Sequence, residues 1–175
     1  MDLFLIRHTK VDVKPKVCYG QTDVDVAISF LTEAENTKKQ LVPTQFDRIY
    51  SSPLKRCKKL SEYLFADEII FDDRLMELNF GDWEMQNWDD LRNPTVDKWM
   101  NDFVNTPCPN GESFIVMYSR VETFINEIKT RKIGNIAIVT HGGVIRCILA
   151  YLNNEELKDA FKRKIDYGQV IKIKA

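Results

Sequence analysis

The chain contains two histidines, and both stand in the same local setting. His8 ends the run LFLIRH, and His141 ends the run IAIVTH. A short apolar run that gives way to polar residues is typical of a buried strand. We therefore expect each imidazole at the carboxyl end of a strand, just before the chain turns.

Two arginines occupy comparable positions. Arg7 directly precedes His8, and Arg56 follows a second apolar stretch, RIYSS at Arg48–Ser52. A guanidinium presents forked donors that match the oxygens of a phosphoryl group. This pair of arginines indicates a local anion site in a chain whose formal net charge is only −1.

A carboxylic acid and a glycine pair complete the candidate set. Glu77 follows a third apolar stretch, EIIF at Glu68–Phe71, and Gly142 and Gly143 follow His141. Backbone N–H groups at a strand-to-helix junction attract an anion. The carboxyl group could protonate a leaving alkoxide and, once ionised, activate water.

Together these groups favour phosphoryl transfer. A histidine inside an anion pocket can attack phosphorus and carry the phosphoryl group covalently. The main task of the protein in such a reaction is to stabilise charge on the equatorial oxygens. Each group alone could be structural: a strand-end histidine, Arg56 on a solvated basic helix start, one surface acid, or a tight glycine turn. The joint placement carries the prediction.

Two histidines and a carboxylate could instead bind a metal ion. Arg7 and Arg56 argue against this alternative, because cations beside a divalent metal repel it unless an anion intervenes.

The elements that must position these groups alternate along the chain. The pattern predicts helices over Thr32–Val42, Glu112–Lys132 and Gly143–Leu152. It predicts a further helix that begins after RIYSS, with Ser52 as the N-cap and Pro53 in the first helical position. The predicted strands are LFLIR, RIYSS, EIIF, IAIVT and the closing GQVIKIKA. This alternation favours an α/β fold, a three-layer α/β/α sandwich around a mostly parallel sheet. In such sheets ligands gather at the carboxyl ends of the strands, where all the candidate groups fall.

One region does not fit the alternation. Residues 81–111 hold all three tryptophans and many acids, and we interpret them as a small helical insert or lid within a single domain of residues 1–175. Only Arg92 and Lys98 are basic there. Trp83, Trp88 and Trp99 would suit a nucleoside-like group that stacks on an aromatic ring, or they form the insert's own core.

The composition excludes several classes of protein. The net charge gives no overall field for nucleic acid or an anionic membrane, and no apolar run approaches the roughly 20 residues of a membrane span. No signal peptide is evident. The cysteines lack a CxxC pair, which predicts free thiols in a reducing cytoplasm; they are Cys18, Cys57, Cys108 and Cys147.

The motifs in order resemble those of the histidine phosphatase superfamily, in its phosphoglycerate-mutase-like branch. LIRHT is similar to the RHG-type signature, SSPLKR to the second-arginine segment, and MELNFGDWE to the segment that bears the acid. CPNGES is similar to a loop usually written PPGGES, and VTHGG to the second histidine motif. Thr9 stands where glycine is usual and Val11 where a hydroxyl residue is common, but no reacting group is missing.

The resemblance implies roles for these residues. His8 would be the phosphorylated nucleophile and Glu77 the proton donor, while phosphate would be bound by Arg7, Arg56 and His141. It implies neither a metal nor an organic cofactor. The expected partner is a small-molecule phosphate monoester, and the oligomeric state stays open between monomer and homodimer.

The substrate is suggested by the segment VCYGQTDVDV, which resembles a loop of α-ribazole phosphatases. The candidate substrate-binding residues are Tyr19, Gly20, Gln21, Thr22 and Gly142. We expect a metal-independent phosphomonoesterase acting on α-ribazole 5'-phosphate, in cobalamin biosynthesis. The alternatives are a broad-specificity phosphatase, a phosphoglycerate mutase, or a regulatory phosphatase of protein phosphohistidine.

Overall fold

The computed structural model describes residues 1–91, 94–131 and 134–175. The strands in these residues are β1 Asp2–Arg7, β2 Arg48–Ser51, β3 Ile69–Phe71, β4 Asn135–Thr140 and β5 Val170–Lys174. The α-helices are α1 Phe30–Leu41, α2 Lys55–Leu64, α3 Pro94–Asn101, α4 Phe114–Thr130 and α5 Gly142–Asn153. Short 3₁₀ helices cover Asp73–Leu75, Gly81–Trp83 and Leu157–Lys162.

The strands form one sheet in the order β3-β2-β4-β1-β5. The pairs β2·β3, β2·β4 and β1·β4 are parallel, and β5 runs antiparallel to β1. Leu3 and Leu5 of β1 pack into one core cluster with α4 and α5, whereas Phe4 and Ile6 pack into a second cluster with α1 and α2. Because both faces of the sheet are covered, its central strands are apolar on both sides. The predicted three-layer sandwich is confirmed.

The register of the sheet brings the candidate residues to one edge. Arg7 of β1 lies opposite Thr140 of β4, so the next residues, His8 and His141, leave the sheet side by side. The backbone N–H of His8 still donates to the Thr140 carbonyl, at 3.0 Å. On the other side of β4, the N–H of Ser52 donates to Val139 at 2.9 Å. Three chain segments therefore enter the same region from adjacent parallel strands.

The start of α2 differs from the prediction. The N-cap is Leu54, whose backbone is extended (ψ 137°), and neither Ser52 nor Pro53 belongs to the helix. The Ser52 hydroxyl lies 2.8 Å from Nε2 of His141 and accepts from the N–H of Leu54 at 3.4 Å, while its own N–H bonds to β4. Ser52 thus stays with the strand edge. The end of the helix predicted over Glu112–Lys132 also differs, because α4 ends at Thr130; Lys132 itself lies outside the described residues.

The insert is built around its own aromatic side chains. Trp83 and Trp99 are buried, and their ring centroids are 5.7 Å apart. Trp88 stacks on Trp99 with centroids 6.0 Å apart and an interplanar angle of 22°. The aromatic cluster is therefore largely internal, although Trp88 is only half-buried. Of the two basic residues predicted here, Lys98 is on α3 and Arg92 lies outside the described residues.

The four cysteines are buried free thiols. In the part of the chain that the structure describes, no helix is both long and apolar enough to cross a membrane.

Candidate active site

His8 is held in one tautomer at the end of β1. The side chain is only 2% exposed, and Nδ1 lies 2.7 Å from the backbone carbonyl of Thr9. Since a carbonyl can only accept, Nδ1 carries the proton and the lone pair is on Nε2. Burial, together with the charges of Arg56 and Arg7, holds the pKa of His8 well below its usual value of 6.5. The imidazole is therefore neutral at pH 7, as a nucleophile must be.

Arg7 is oriented by a carbonyl and a ring. Its Nη1 donates to the carbonyl of Ile165 at 2.5 Å, and its guanidinium carbon lies 3.9 Å from the ring centre of Tyr167. Its Nε is buried and has no hydrogen-bond partner among the described residues. One donor of this guanidinium is thus available for a ligand.

Arg56 is fully buried in the first turn of α2. Nη2 donates to the carbonyl of Gly20 at 2.6 Å, and Nη1 donates to the carbonyl of Thr22 at 3.1 Å. Nε donates to Nδ1 of His141 at 3.2 Å. Because Nδ1 of His141 accepts, its Nε2 carries the proton and donates to Ser52. His141 is fully buried, and its ring centre lies 5.2 Å from that of His8.

The pKa of His141 also lies well below 6.5, first because of burial and then because of the charges of Arg56 and its other neighbours. Neither imidazole therefore adds a positive charge at pH 7. The positive charge of the site comes from Arg7 and Arg56. Within the described residues, these two guanidiniums pair with carbonyls and an imidazole rather than with Asp or Glu. A buried charge without a counterion is costly, so the pocket is suited to an anionic ligand.

The carboxyl group of Glu77 is hydrogen-bonded to the N-terminus of α5. Its Oε2 accepts from the N–H of Gly143 at 3.1 Å, and its Oε1 accepts from the N–H of Leu78 at 3.0 Å. Its own backbone carbonyl accepts from Nη2 of Arg120 at 2.9 Å and from Nε2 of Gln21 at 3.1 Å. A Cβ added to Gly143 would lie 2.2 Å from Oε1, so only glycine leaves room for this carboxyl group.

The segment predicted to bind substrate, residues 19–22, mostly builds the pocket wall. The carbonyls of Gly20 and Thr22 hold Arg56, and the ring of Tyr19 covers that guanidinium with its centre 5.4 Å from the carbon. Gln21 uses its side-chain amide on the Glu77 carbonyl. A Cβ on Gly20 would lie 2.0 Å from the carbonyl oxygen of Leu78, which explains the glycine.

Glu84 fixes the conformation of this segment. It accepts from the N–H groups of Thr22 at 2.5 Å, Gln21 at 2.8 Å and Phe80 at 3.1 Å, and also from the Thr22 hydroxyl. Burial raises the pKa of Glu84, but these hydrogen bonds outweigh it, so the net pKa is below its usual value. The sequence contains many acids in this region and gave no signal that this one points inward.

The five predicted catalytic residues lie at the same edge of the sheet, linked by neighbouring contacts, and Gly142 lies beside them. A Cβ on Gly142 would lie 3.4 Å from Nε of Arg7 and 3.0 Å from Nη1 of Arg146. Sequence reasoning missed Arg146, Arg120 and Tyr167. Arg146 follows Gly142 by one helical turn, so its spacing was a usable signal.

Tyr167 had no sequence signal because it lies in an irregular segment before β5. Its ring centre is 5.5 Å from that of His8, and its hydroxyl is 2.6 Å from the hydroxyl of Tyr19. The burial of Tyr19 and its bond to Tyr167 raise the pKa of the Tyr19 hydroxyl well above its usual value. The Tyr19 hydroxyl is therefore neutral at pH 7, and it shares one hydrogen bond with the Tyr167 hydroxyl at the edge of the site.

Residues 3–175 match the histidine phosphatase superfamily (branch 1). The chain is 28% identical to the adenosylcobalamin/alpha-ribazole phosphatase of Escherichia coli over 176 residues, covering 96% of this chain and 87% of that one. It is 27% identical to phosphoserine phosphatase 1 of Hydrogenobacter thermophilus over 164 residues, covering 89% and 77%. The crystal structure of the alpha-ribazole phosphatase from Shigella flexneri superposes with a TM-score of 0.92 at 27% identity, covering 99% and 90%.

The chain therefore belongs to the histidine phosphatase superfamily. It is an enzyme of the phosphatase or mutase type, and its substrate is a phosphate compound. In the described part of the chain, no group of three or more His, Cys, Asp or Glu side chains is arranged to hold a metal ion.

Proposed function

We propose that the protein is a metal-independent phosphomonoesterase that works through a phosphohistidine at His8, with α-ribazole 5'-phosphate as its substrate. One observation carries the proposal. A neutral imidazole whose Nε2 carries the lone pair lies near two guanidiniums, those of Arg7 and Arg56, that have no acidic partner among the described residues. This arrangement supports the binding of a phosphoryl dianion next to a nucleophile.

The first step forms the phosphoenzyme. The lone pair of His8 Nε2 attacks phosphorus, and the bond from phosphorus to the ester oxygen breaks with its electron pair on that oxygen. Glu77 in its protonated form gives the oxygen a proton, so the leaving group departs as an alcohol. Arg7 and Arg56 stabilise the charge that develops on the equatorial oxygens.

The second step restores the enzyme. The Glu77 carboxylate takes a proton from water while the water oxygen attacks phosphorus. The phosphorus–nitrogen bond breaks, its electron pair returns to His8, and inorganic phosphate leaves. The net reaction consumes one water and one monoester and produces one alcohol and one phosphate, with Glu77 protonated again.

The choice of substrate rests on similarity and on the insert. The E. coli and S. flexneri relatives are named for α-ribazole, and the segment Val17–Val26 resembles a loop of α-ribazole phosphatases. A mutase must hold a second anionic group on its substrate, and the sequence of the insert contains only two basic residues, Arg92 and Lys98. The relative from H. thermophilus is named for phosphoserine. A phosphatase that acts on O-phosphoserine is therefore the second candidate.

A labelling experiment tests the nucleophile. Enzyme mixed with a ³²P-labelled monoester and quenched in base is expected to carry acid-labile, base-stable label on His8. His8→Asn should abolish both label and turnover. His141→Asn is the matched control, because it removes the only other imidazole and should slow turnover while label still forms. Label that persists in His8→Asn would overturn the assignment.

A substrate panel tests the specificity. We expect kcat/KM to be highest for α-ribazole 5'-phosphate, compared with 3-phosphoglycerate, O-phosphoserine and a phosphohistidine protein, and to be unchanged by chelators. A higher kcat/KM for O-phosphoserine than for α-ribazole 5'-phosphate would identify a phosphoserine phosphatase instead. Transfer of label from 3-phosphoglycerate to the 2-position would identify a mutase instead.

A further inference from the structure

A cavity of about 380 Å³ lies next to the pocket of His8. Its walls include three aromatic side chains, Tyr19, Trp88 and Tyr167, and small apolar side chains from residues 11–17, among them Val13. The volume falls within the range of small-ligand pockets, roughly 300–1,000 Å³. The cavity has no role in the phosphoryl chemistry described above.

The cavity shares two walls with the pocket of His8. Tyr167 packs on Arg7 at 3.9 Å and faces His8 at 5.5 Å, and Tyr19 covers Arg56. The same two rings line the cavity. A phosphate ester with its phosphoryl group between the two arginines would therefore have the cavity within reach of its leaving group.

Trp88 is brought to this cavity by the backbone. Its N–H donates to the carbonyl of Lys16 at 3.0 Å, and Val17 forms an antiparallel bridge with Asn87. These contacts tie the insert to the segment that carries Val13. Trp83 and Trp99 are buried inside the insert, whereas Trp88 contributes to the cavity wall.

Three lysines, Lys10, Lys14 and Lys16, also line the cavity, and two of them lie beside acids at its rim. Lys16 forms an ion pair with Asp89 at 2.7 Å, and Lys10 lies 3.7 Å from Glu33. The aromatic and aliphatic walls also offer a stacking surface to a planar ring.

We propose that this cavity receives the leaving group and selects esters whose leaving group carries a planar aromatic ring, such as a nucleoside. The inference rests on the proposed phosphatase function and deepens it, because it assigns specificity to Trp88, Val13 and the two tyrosines. A small polar leaving group such as serine would leave the cavity unused.

Filling the cavity tests the proposal. Val13→Phe adds a ring at the wall without altering the insert core or any group that contacts phosphate. We expect kcat/KM for α-ribazole 5'-phosphate and for AMP to fall at least about tenfold, and kcat/KM for O-phosphoserine to change less than twofold. Val116→Phe, the same change on the exposed face of α4, is the matched control and should alter neither.

Inhibition of the unmodified enzyme gives a second readout that does not depend on folding of a variant. Free adenosine is expected to inhibit competitively, and free serine at the same concentration is not. Three results would overturn the cavity assignment. In a folded Val13→Phe protein, kcat/KM could fall equally for all esters or for none of them. In the unmodified enzyme, adenosine could fail to inhibit. Those results leave phosphohistidine formation intact, whereas failure of the phosphatase proposal would appear as absent label in the unmodified enzyme.

Discussion

Replacement of Gly143 by alanine tests whether the position of Glu77 matters for catalysis. The added Cβ would lie 2.2 Å from Oε1 of Glu77, and real Cβ atoms essentially never approach a heavy atom within 3.0 Å. The carboxyl group must therefore move by at least about 0.8 Å. The Met117 methyl group lies 3.0 Å from the same Cβ, so the Cβ has little room to move away from the carboxyl group.

The size of the effect follows from this displacement. A misplacement of about 1 Å in a catalytic group can cost about 10²-fold in rate, and a general acid contributes about 10²–10⁴-fold in total. We therefore expect kcat/KM for an alkyl phosphate to fall about 10²-fold, which corresponds to about 2.7 kcal/mol. Alanine has the higher helix propensity and the backbone at Gly143 is not left-handed, so the fold should be kept.

The assay compares two leaving groups. An alkyl phosphate needs a proton on the departing oxygen, whereas p-nitrophenyl phosphate does not, so the loss in Gly143→Ala should be much smaller for the aryl ester. In a double-mutant cycle, Glu77→Gln combined with Gly143→Ala should be little slower than Glu77→Gln alone. Additive losses, or equal losses for both esters, would refute the argument that Gly143 acts through Glu77.

Two further predictions concern stability and the pocket wall. Because burial and nearby arginines lower the pKa of His8 and His141 in the folded state, the unfolded chain binds more protons below about pH 6.5. The free energy of unfolding in phosphate-free buffer should therefore fall as the pH drops from 6.5 to 5.5, by at most about 1.4 kcal/mol per histidine. The double variant His8→Gln/His141→Gln should lose this pH dependence. If the unmodified protein and the double variant show the same change of unfolding free energy with pH, the prediction is wrong. Glu84→Gln removes the charge that accepts four hydrogen bonds, so urea unfolding should show a loss of about 2 kcal/mol and KM should rise, because Arg56 loses its fixed carbonyls. Unchanged KM and stability would show that the wall does not depend on Glu84.

The convergence of the site was predictable because parallel strands end at a common edge. The apolar runs before His8 and His141 located β1 and β4, and the register of the sheet then places both imidazoles together. Arg56 was predictable for the same reason, since α2 follows β2 directly. Local patterns were sufficient wherever the position of a residue depends on strand direction alone.

The remaining features depend on contacts between distant segments. Ser52 has the type and spacing of an N-cap, but its hydroxyl pairs with His141, which lies 89 residues away in the chain. Tyr167 reaches Tyr19 over 148 residues. Neither partner can be read from local periodicity, and the burial of Trp83 and Trp99 likewise follows from their mutual packing. The sequence could therefore predict which groups lie at this edge of the sheet but not which groups hold them in place.

The way in which the arginines are held explains why the site keeps its charge. Arg120, which supports the segment before the insert, pairs with the carboxylate of Glu112 at 2.9 Å, so its charge is neutralised locally. Arg7 and Arg56 are oriented by backbone carbonyls instead. A carbonyl fixes the direction of an N–H group without cancelling the positive charge, and the pocket therefore retains two charges for an anion.

The same principle applies to His8, the proposed nucleophile. A carboxylate on Nδ1 of His8 would favour the protonated imidazolium, which has no lone pair to attack phosphorus. The carbonyl of Thr9 at 2.7 Å orients the ring and fixes the tautomer but adds no negative charge. Burial, together with the charges of Arg56 and Arg7, holds the pKa of this imidazole well below 6.5, so it is neutral at pH 7. An arriving dianion compensates the guanidiniums and meets a lone pair already in place, so binding and activation use the same two charges.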